Sequence, residues 1–192
     1  GQTAPRLGLH GIADALRAAP GLMAAGAVGG FFEAGMSGVL PLYGLAAGFG
    51  AAMAALLVSA IGLGSTLTML PIGELADRWS TRRVLLGCAA INLGATLLLP
   101  LVPAWPPLAA VIAFLWGGAG GALYTLSMVD IGHRHQGVAL VNTTAVLVLA
   151  YTLGGMLAPA LGGLALNLAP GWGLPLLLAA AAAAGLAVLA RR

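Results

Sequence analysis

Six long apolar runs, at roughly residues 20 to 44, 51 to 72, 84 to 102, 107 to 129, 137 to 167 and 171 to 190, take up most of the 192 positions. Each reaches, to within a residue, the ~20 residues that a helix needs to cross ~30 Å of hydrocarbon at ~1.5 Å per residue. Backbone groups left unpaired in lipid are too costly to tolerate, so such runs form helices or a closed barrel, and the alternating pattern of barrel strands is missing. The expected fold class is therefore an all-α integral membrane protein, a bundle of six transmembrane helices. Composition agrees: 60% of residues are apolar and 7% charged, with a mean hydropathy of +1.02. Little chain is left for a soluble domain.

Threading the six runs through a bilayer sorts the charges. Arg6 and Arg17 precede the first span, Arg78, Arg82 and Arg83 lie between the second and third, Arg134 between the fourth and fifth, and Arg191 and Arg192 follow the sixth. These are all eight cationic side chains, Lys being absent, and all fall on one side. The positive-inside rule makes that side cytoplasmic, so both ends of the chain are expected to face inward across a cell's inner (plasma) membrane. The pI near 9.8 then reflects arginines against an anionic leaflet. No basic, aromatic-rich stretch of the kind that grips nucleic acid is present. Cys88 is the one cysteine and forms no internal disulfide.

The chain opens at Gly1 without an initiating Met or a cleavable leader, which suggests that it begins inside a longer polypeptide. Residues 1 to 19 read as an inner-surface segment, with 20 to 192 as the bundle. From Arg6 to Ala19, Leu9, Ile12 and Leu16 form one helical stripe with Arg6, Asp14 and Arg17 elsewhere. That pattern fits a short amphipathic helix on the membrane surface, ended by Pro20; a disordered tether is the alternative.

Inside the bilayer one carboxylate stands out. Glu33, near the middle of the first span, costs roughly 2.5 to 3.5 kcal/mol at the bilayer centre on insertion scales, so it should face the bundle interior or a watered cavity. There it could exchange protons; the competing reading is a structural hydrogen bond to a neighbouring helix. Ser37 lies one turn on, and Pro41 one turn further is expected to bend the helix. Asn92, Asn142, Thr143 and Thr144 read as interhelical hydrogen-bonding glue, and the pairs Gly26 and Gly30, Gly44 and Gly48, Gly117 and Gly121 as tight helix contacts. His133 and His135 flank Arg134 in an inward loop near Asp130, which is expected to pair with a basic neighbour; no metal site is read there.

Two motifs carry a resemblance. Between the second and third spans, GELADRWSTRRVL runs from Gly73 to Leu85. It resembles the G-x-L-A-D-R-x-G-R-K-x-x-L loop of the major facilitator superfamily: Gly73, Leu75, Ala76, Asp77, Arg78, Arg82 and Leu85 match, while Ser80 and Thr81 depart from the pattern. The physics suits a conformational latch. Gly73 would let two helices approach, Asp77 could sit at a helix N-terminus or pair with Arg, and Arg78 and Arg82 could reach acids or carbonyls of a neighbouring helix. In the fifth span, Gly154, Ala158, Pro159, Gly162 and Gly163 are similar to the superfamily's G-x-x-x-G-P-x-x-G-G pattern, one Gly being Ala. Small residues four apart permit close packing, and Pro159 allows a kink. That pattern is associated with export antiporters; a generic packing helix is the alternative.

The resemblance covers about residues 20 to 190 and implies one half of a twelve-helix fold built from two six-helix bundles with a cavity between them. The fourth span lacks the arginine that N-terminal halves usually carry there, so the chain resembles the C-terminal half, helices seven to twelve. The resemblance puts Glu33 and Ser37 on a cavity-lining helix, and Trp116, Tyr124 and Ser127 on another, with Trp116 and Tyr124 as an aromatic wall. The expected function is secondary active transport of a small solute by alternating access, with proton-coupled export of a drug-like or amphipathic metabolite in view. The implied partners are that solute, protons, the lipid bilayer and the missing N-terminal six-helix half; no cofactor is implied. An intramembrane protease is weighed against this because Gly35, Met36, Ser37 and Gly38 spell G-x-S-G, but His10, His133 and His135 all lie at the inner edge, out of reach of that serine. An uncoupled channel is disfavoured by the lack of a charge ring or a carbonyl-rich filter.

Overall fold

Apolar side chains and helix-forming residues leave the backbone one solution in lipid, and the computed structural model, which describes residues 9–191, is built of helices accordingly. A short helix α1 (Leu9–Ala18) precedes six long ones: α2 (Pro20–Ala46), α3 (Ala51–Arg78), α4 (Thr81–Leu101, its last turn 3-10), α5 (Leu108–Arg134), α6 (Gly137–Leu168) and α7 (Gly173–Ala190). All six are long and apolar enough to span a membrane. Pro20 takes the first-turn position of α2, where its missing N–H costs nothing. Trp79, at the arginine-bearing end, and Trp105 and Trp172, at the other, stay exposed, as side chains of a bilayer interface do.

The spans outrun their apolar cores at the arginine-bearing end. α3 continues through Glu74, Leu75, Ala76 and Asp77 to Arg78, so the motif read as a loop is helical except at Trp79 and Ser80. Leu, Ala, Glu and Arg are good helix formers, and leaving the hydrocarbon gives them no reason to unwind. Asp77 consequently sits in the last turn of α3, not at a helix N-terminus. α5 likewise runs through Asp130 and His133 to Arg134. At the opposite end the turns need glycine: Gly48 (φ 88°) and Gly171 (φ 87°) adopt left-handed backbone. Gly48 is thus a turn residue with no neighbour in its way, not the helix contact expected from its spacing to Gly44.

Two seams organise the bundle. Along α2 and α6, a side chain added at Gly30 would strike the Tyr151 carbonyl, and one at Gly154 the Ala27 carbonyl. Along α3 and α5, Gly64 meets the Phe114 carbonyl and Gly117 the Ile61 carbonyl. Backbones approach this closely only where Cβ is absent, and in lipid such packing replaces the hydrophobic drive that water supplies elsewhere. α4 packs behind α5 and α7. One buried cluster, with Phe32, Met36, Ile112, Trp116 and Leu178, fills the arginine-free half. A second, with Leu22, Leu85, Leu123, Leu147 and Leu189, fills the other half, and Ala15 of α1 joins it. α1 is therefore a helix packed on α6, and Leu16 of the expected stripe is left exposed. Leu9 belongs to that helix, while Arg6 lies outside the described residues.

α3 and α6 have the least buried spans of the long helices, and Leu70 is 83% exposed. Apolar side chains on such a face match hydrocarbon or another apolar helix, and no membrane protein needs to hide them from water.

Candidate functional site

Glu33 sits in a π-helical turn, Phe31–Gly35, within α2. Single π turns are uncommon and recur at functional sites because they redirect one side chain and loosen the backbone ladder. Three other helices meet the carboxylate. Ser65 Oγ of α3 donates a hydrogen bond to Glu33 Oε1 (2.5 Å), and Tyr151 Oη of α6 donates one to Oε2 (3.0 Å). On α5, a Cβ at Gly121 would lie 2.8 Å from Ser65 Oγ and 3.1 Å from Glu33 Oε1, so the glycine makes room for the pair. Both acceptor oxygens are thereby engaged by hydroxyls, a combination that satisfies a carboxylate without a counter-ion. Among the described residues Glu33 takes part in no ion pair; the one present joins Arg134 Nε to Asp130 Oδ1 at 2.9 Å, the pairing expected of Asp130.

Glu33 opens onto a cavity of about 550 Å³ that runs toward the arginine-bearing end between α2, α3, α5 and α6. Its walls include Ser65, Thr68, Met69, Ile72, Tyr124, Thr125, Val148, Tyr151 and Thr152, with Gly73 and Asp77 at the far end. The Tyr124 and Tyr151 rings stack at a tilt, centroids 4.7 Å apart. Sequence reasoning missed Ser65 and Tyr151. Each is a polar group inside an apolar span, but nothing in the spacing says which of many small hydroxyls points inward.

The other expected site residues lie elsewhere. Trp116 is fully buried outside the cavity, packed on Phe32 (centroids 5.6 Å apart), with its indole N–H donating to Thr96 Oγ1 at 3.2 Å. Eight residues at 100° each leave Trp116 about 80° round α5 from Tyr124, enough to turn it into the protein interior. The aromatic wall is accordingly Tyr124 with Tyr151. Ser127 is buried and bonds the Leu123 carbonyl (2.7 Å), and Ser37 Oγ spends its hydrogen on the Ala34 carbonyl (2.5 Å), away from the cavity lining. Asn92 is fully buried, yet neither its Oδ1 nor its Nδ2 has a partner among the described residues, so it is not the interhelical link that its polarity suggested.

Motif residues divide in the same way. Gly154 packs against Ala27, Ala158 against Gly35 and Gly162 against Val39, while Pro159 faces Gly38 across the α2 and α6 seam; Gly163 has open space and borders a second cavity at the arginine-free end. Gly73 also has open space around it, so it does not mediate a close helix approach. Arg82, at the start of α4, donates to the Ala190 carbonyl at the end of α7 (3.1 Å). Such a contact satisfies an orphan helix-end carbonyl and places positive charge at the negative end of the helix dipole. Arg78 is exposed in the last turn of α3.

A six-helix membrane bundle with a polar cavity between its inner helices is the architecture of half a transporter. The chain belongs to the Major Facilitator Superfamily, whose sequence model matches residues 22–192. It is also 28% identical over 137 residues to YfkF of Bacillus subtilis (strain 168), an uncharacterized MFS-type transporter. That match covers 70% of this chain and 34% of YfkF, so the chain spans about a third of its relative's length. It is a multi-pass membrane protein of a transporter family.

Proposed function

We propose that this chain is the C-terminal bundle of a proton-linked secondary transporter, which exports a small amphipathic solute by rocking against a second six-helix bundle. The observation that carries the reading is Glu33: a carboxylate deep in the spans, opening on a 550 Å³ cavity and bonded to hydroxyls from two different helices. Protonation would turn one acceptor oxygen into a donor, and Ser65 or Tyr151 would then have to reorient. Because Ser65 lies on α3 and Tyr151 on α6, proton uptake would bear on the helices flanking the cavity. The arginine asymmetry supports an inner-membrane location with both ends cytoplasmic. A latch at that surface, expected of Gly73, Asp77, Arg78 and Arg82 together, rests on the contact of Arg82 to the end of α7.

The test replaces Glu33 by Gln in the full-length protein reconstituted in vesicles. We expect transport driven by a pH gradient to be lost while solute exchange at equal pH persists. Unchanged pH-driven transport would remove Glu33 from coupling.

A further inference from the structure

The cavity is strongly one-sided in what it offers a ligand. Its ionisable acids are Glu33 and Asp77, and no Arg or His lines it. Nor does either acid form an ion pair among the described residues. The hydroxyls deepen the bias. Ser65 and Tyr151 give their hydrogens to Glu33, Thr68 gives its hydrogen to the Gly64 carbonyl (2.7 Å) and Thr152 to the Val148 carbonyl (2.9 Å). Each of these four oxygens has its hydrogen engaged and keeps only lone pairs, which leaves Tyr124 and Thr125 as the lining hydroxyls with a hydrogen free to donate among the described residues. An anionic solute would face two carboxylates with two hydroxyl donors and no cationic side chain to offset them; a cation would find the carboxylates and the four acceptor oxygens to its advantage.

The remaining surface is apolar and aromatic. Met69, Ile72 and Val148 form greasy walls, and the tilted Tyr124 and Tyr151 rings stand beside the carboxylate. Aromatic faces attract cations within about 6 Å, more strongly when water is excluded, so rings and carboxylate act in the same sense. A volume of about 550 Å³ suits a drug-sized molecule and far exceeds a bare metal ion.

Resting on the reading that this cavity holds the transported solute, we propose that the solute class is a lipophilic organic cation, its positive centre against Glu33 and the Tyr124 and Tyr151 rings. The probes are tetraphenylphosphonium and tetraphenylborate, nearly identical in shape and opposite in charge. In the full-length protein in nanodiscs, with empty nanodiscs subtracted, tetraphenylphosphonium should bind at least tenfold more tightly than tetraphenylborate. Glu33→Gln should weaken the cation by about tenfold and leave the anion unaffected. Equal binding of the two probes, or cation affinity within twofold of wild type in Glu33→Gln, would overturn the proposal.

Glu33→Gln also disturbs the hydrogen bonds to Ser65 and Tyr151, so a second measurement leaves the carboxylate in place. Thr125→Cys puts a thiol on the cavity wall, to be labelled by methanethiosulfonates bearing either trimethylammonium or sulfonate. The cationic reagent should outpace the anionic one by more than it does with a free thiol in solution; a ratio equal to or below the free-thiol value would count against the proposal. Failures of the two readings are separable. If Glu33→Gln abolishes pH-driven transport but the two probes bind alike, coupling stands and cation selectivity falls. If Glu33→Gln weakens the cation about tenfold but leaves pH-driven transport intact at saturating solute, the reverse holds.

Discussion

Replacing Asn92 by Leu should stabilise the protein, against the usual direction of core substitutions. Asn92 is fully buried on α4 and its amide has no partner among the described residues, whereas the groups beside it are satisfied. Trp116 donates to Thr96 Oγ1, and Thr96 in turn donates to the Asn92 backbone carbonyl at 2.7 Å. That chain ends on the backbone and leaves the side-chain amide out. An unsatisfied buried polar group costs about 1 to 3 kcal/mol. Leu has the branched shape and the heavy-atom count of the Asn side chain, its two methyls being bulkier than the amide oxygen and nitrogen, so the strain it adds offsets only part of the gain. The lower part of the range is the better figure in a bilayer, where the unfolded reference also finds partners. A gain of about 1 kcal/mol corresponds to roughly 2 to 4 °C in Tm for a unit of this size. Buried Cys88 lies one turn before Asn92, so the reaction of its thiol with a fluorogenic maleimide during heating reports the opening of α4 in detergent. Asn92→Ala removes the same amide but leaves a void, and should gain less than Leu or lose stability. A fall of several degrees for Asn92→Leu would refute the reasoning, since it would mean that the amide is paired.

The seam glycines and the open ones should behave oppositely. Gly30→Val and Gly117→Val each force a side chain onto a neighbouring helix's backbone carbonyl and should cost about 3 kcal/mol or more, read as lost monodisperse protein in size-exclusion chromatography. Gly73→Ala and Gly163→Ala meet nothing within 4 Å and should leave that yield unchanged. Arg82→Glu removes the hydrogen bond to the Ala190 carbonyl and sets a negative charge against a helix C-terminus, a change of about 1 kcal/mol. Transport cycling should slow with membrane insertion unaltered, as measured by uptake normalised to surface-labelled protein; a defect confined to insertion would rule out a latch.

What was legible in the sequence is what each residue decides alone or with its chain neighbours. Six runs of hydrocarbon-crossing length fixed the number of spans, because lipid admits no other backbone solution, and the arginines sorted the helix ends because charge is costly to carry across. Glu33 announced itself by the same cost. Facing was harder to read. Hydrophobic periodicity locates the buried side of a soluble helix, but here lipid and core are both apolar, so the pattern does not say which side of α5 or α6 points inward. Trp116 and Tyr124 looked like one wall and were divided by about 80° of helix rotation. Tyr151 and Ser65, 86 residues apart by number, meet on one carboxylate only because the glycine seams bring α6 and α3 to either side of α2 and α5. Asn92 shows the limit from the other direction, since polarity in a span signals a need for a partner and only the packed bundle decides whether one arrives. The sequence by itself determined a six-helix membrane protein with one costly carboxylate. Helix rotation and close approach, set by glycines meeting backbone across the seams, decided which hydroxyls hold that carboxylate and what kind of cavity it faces.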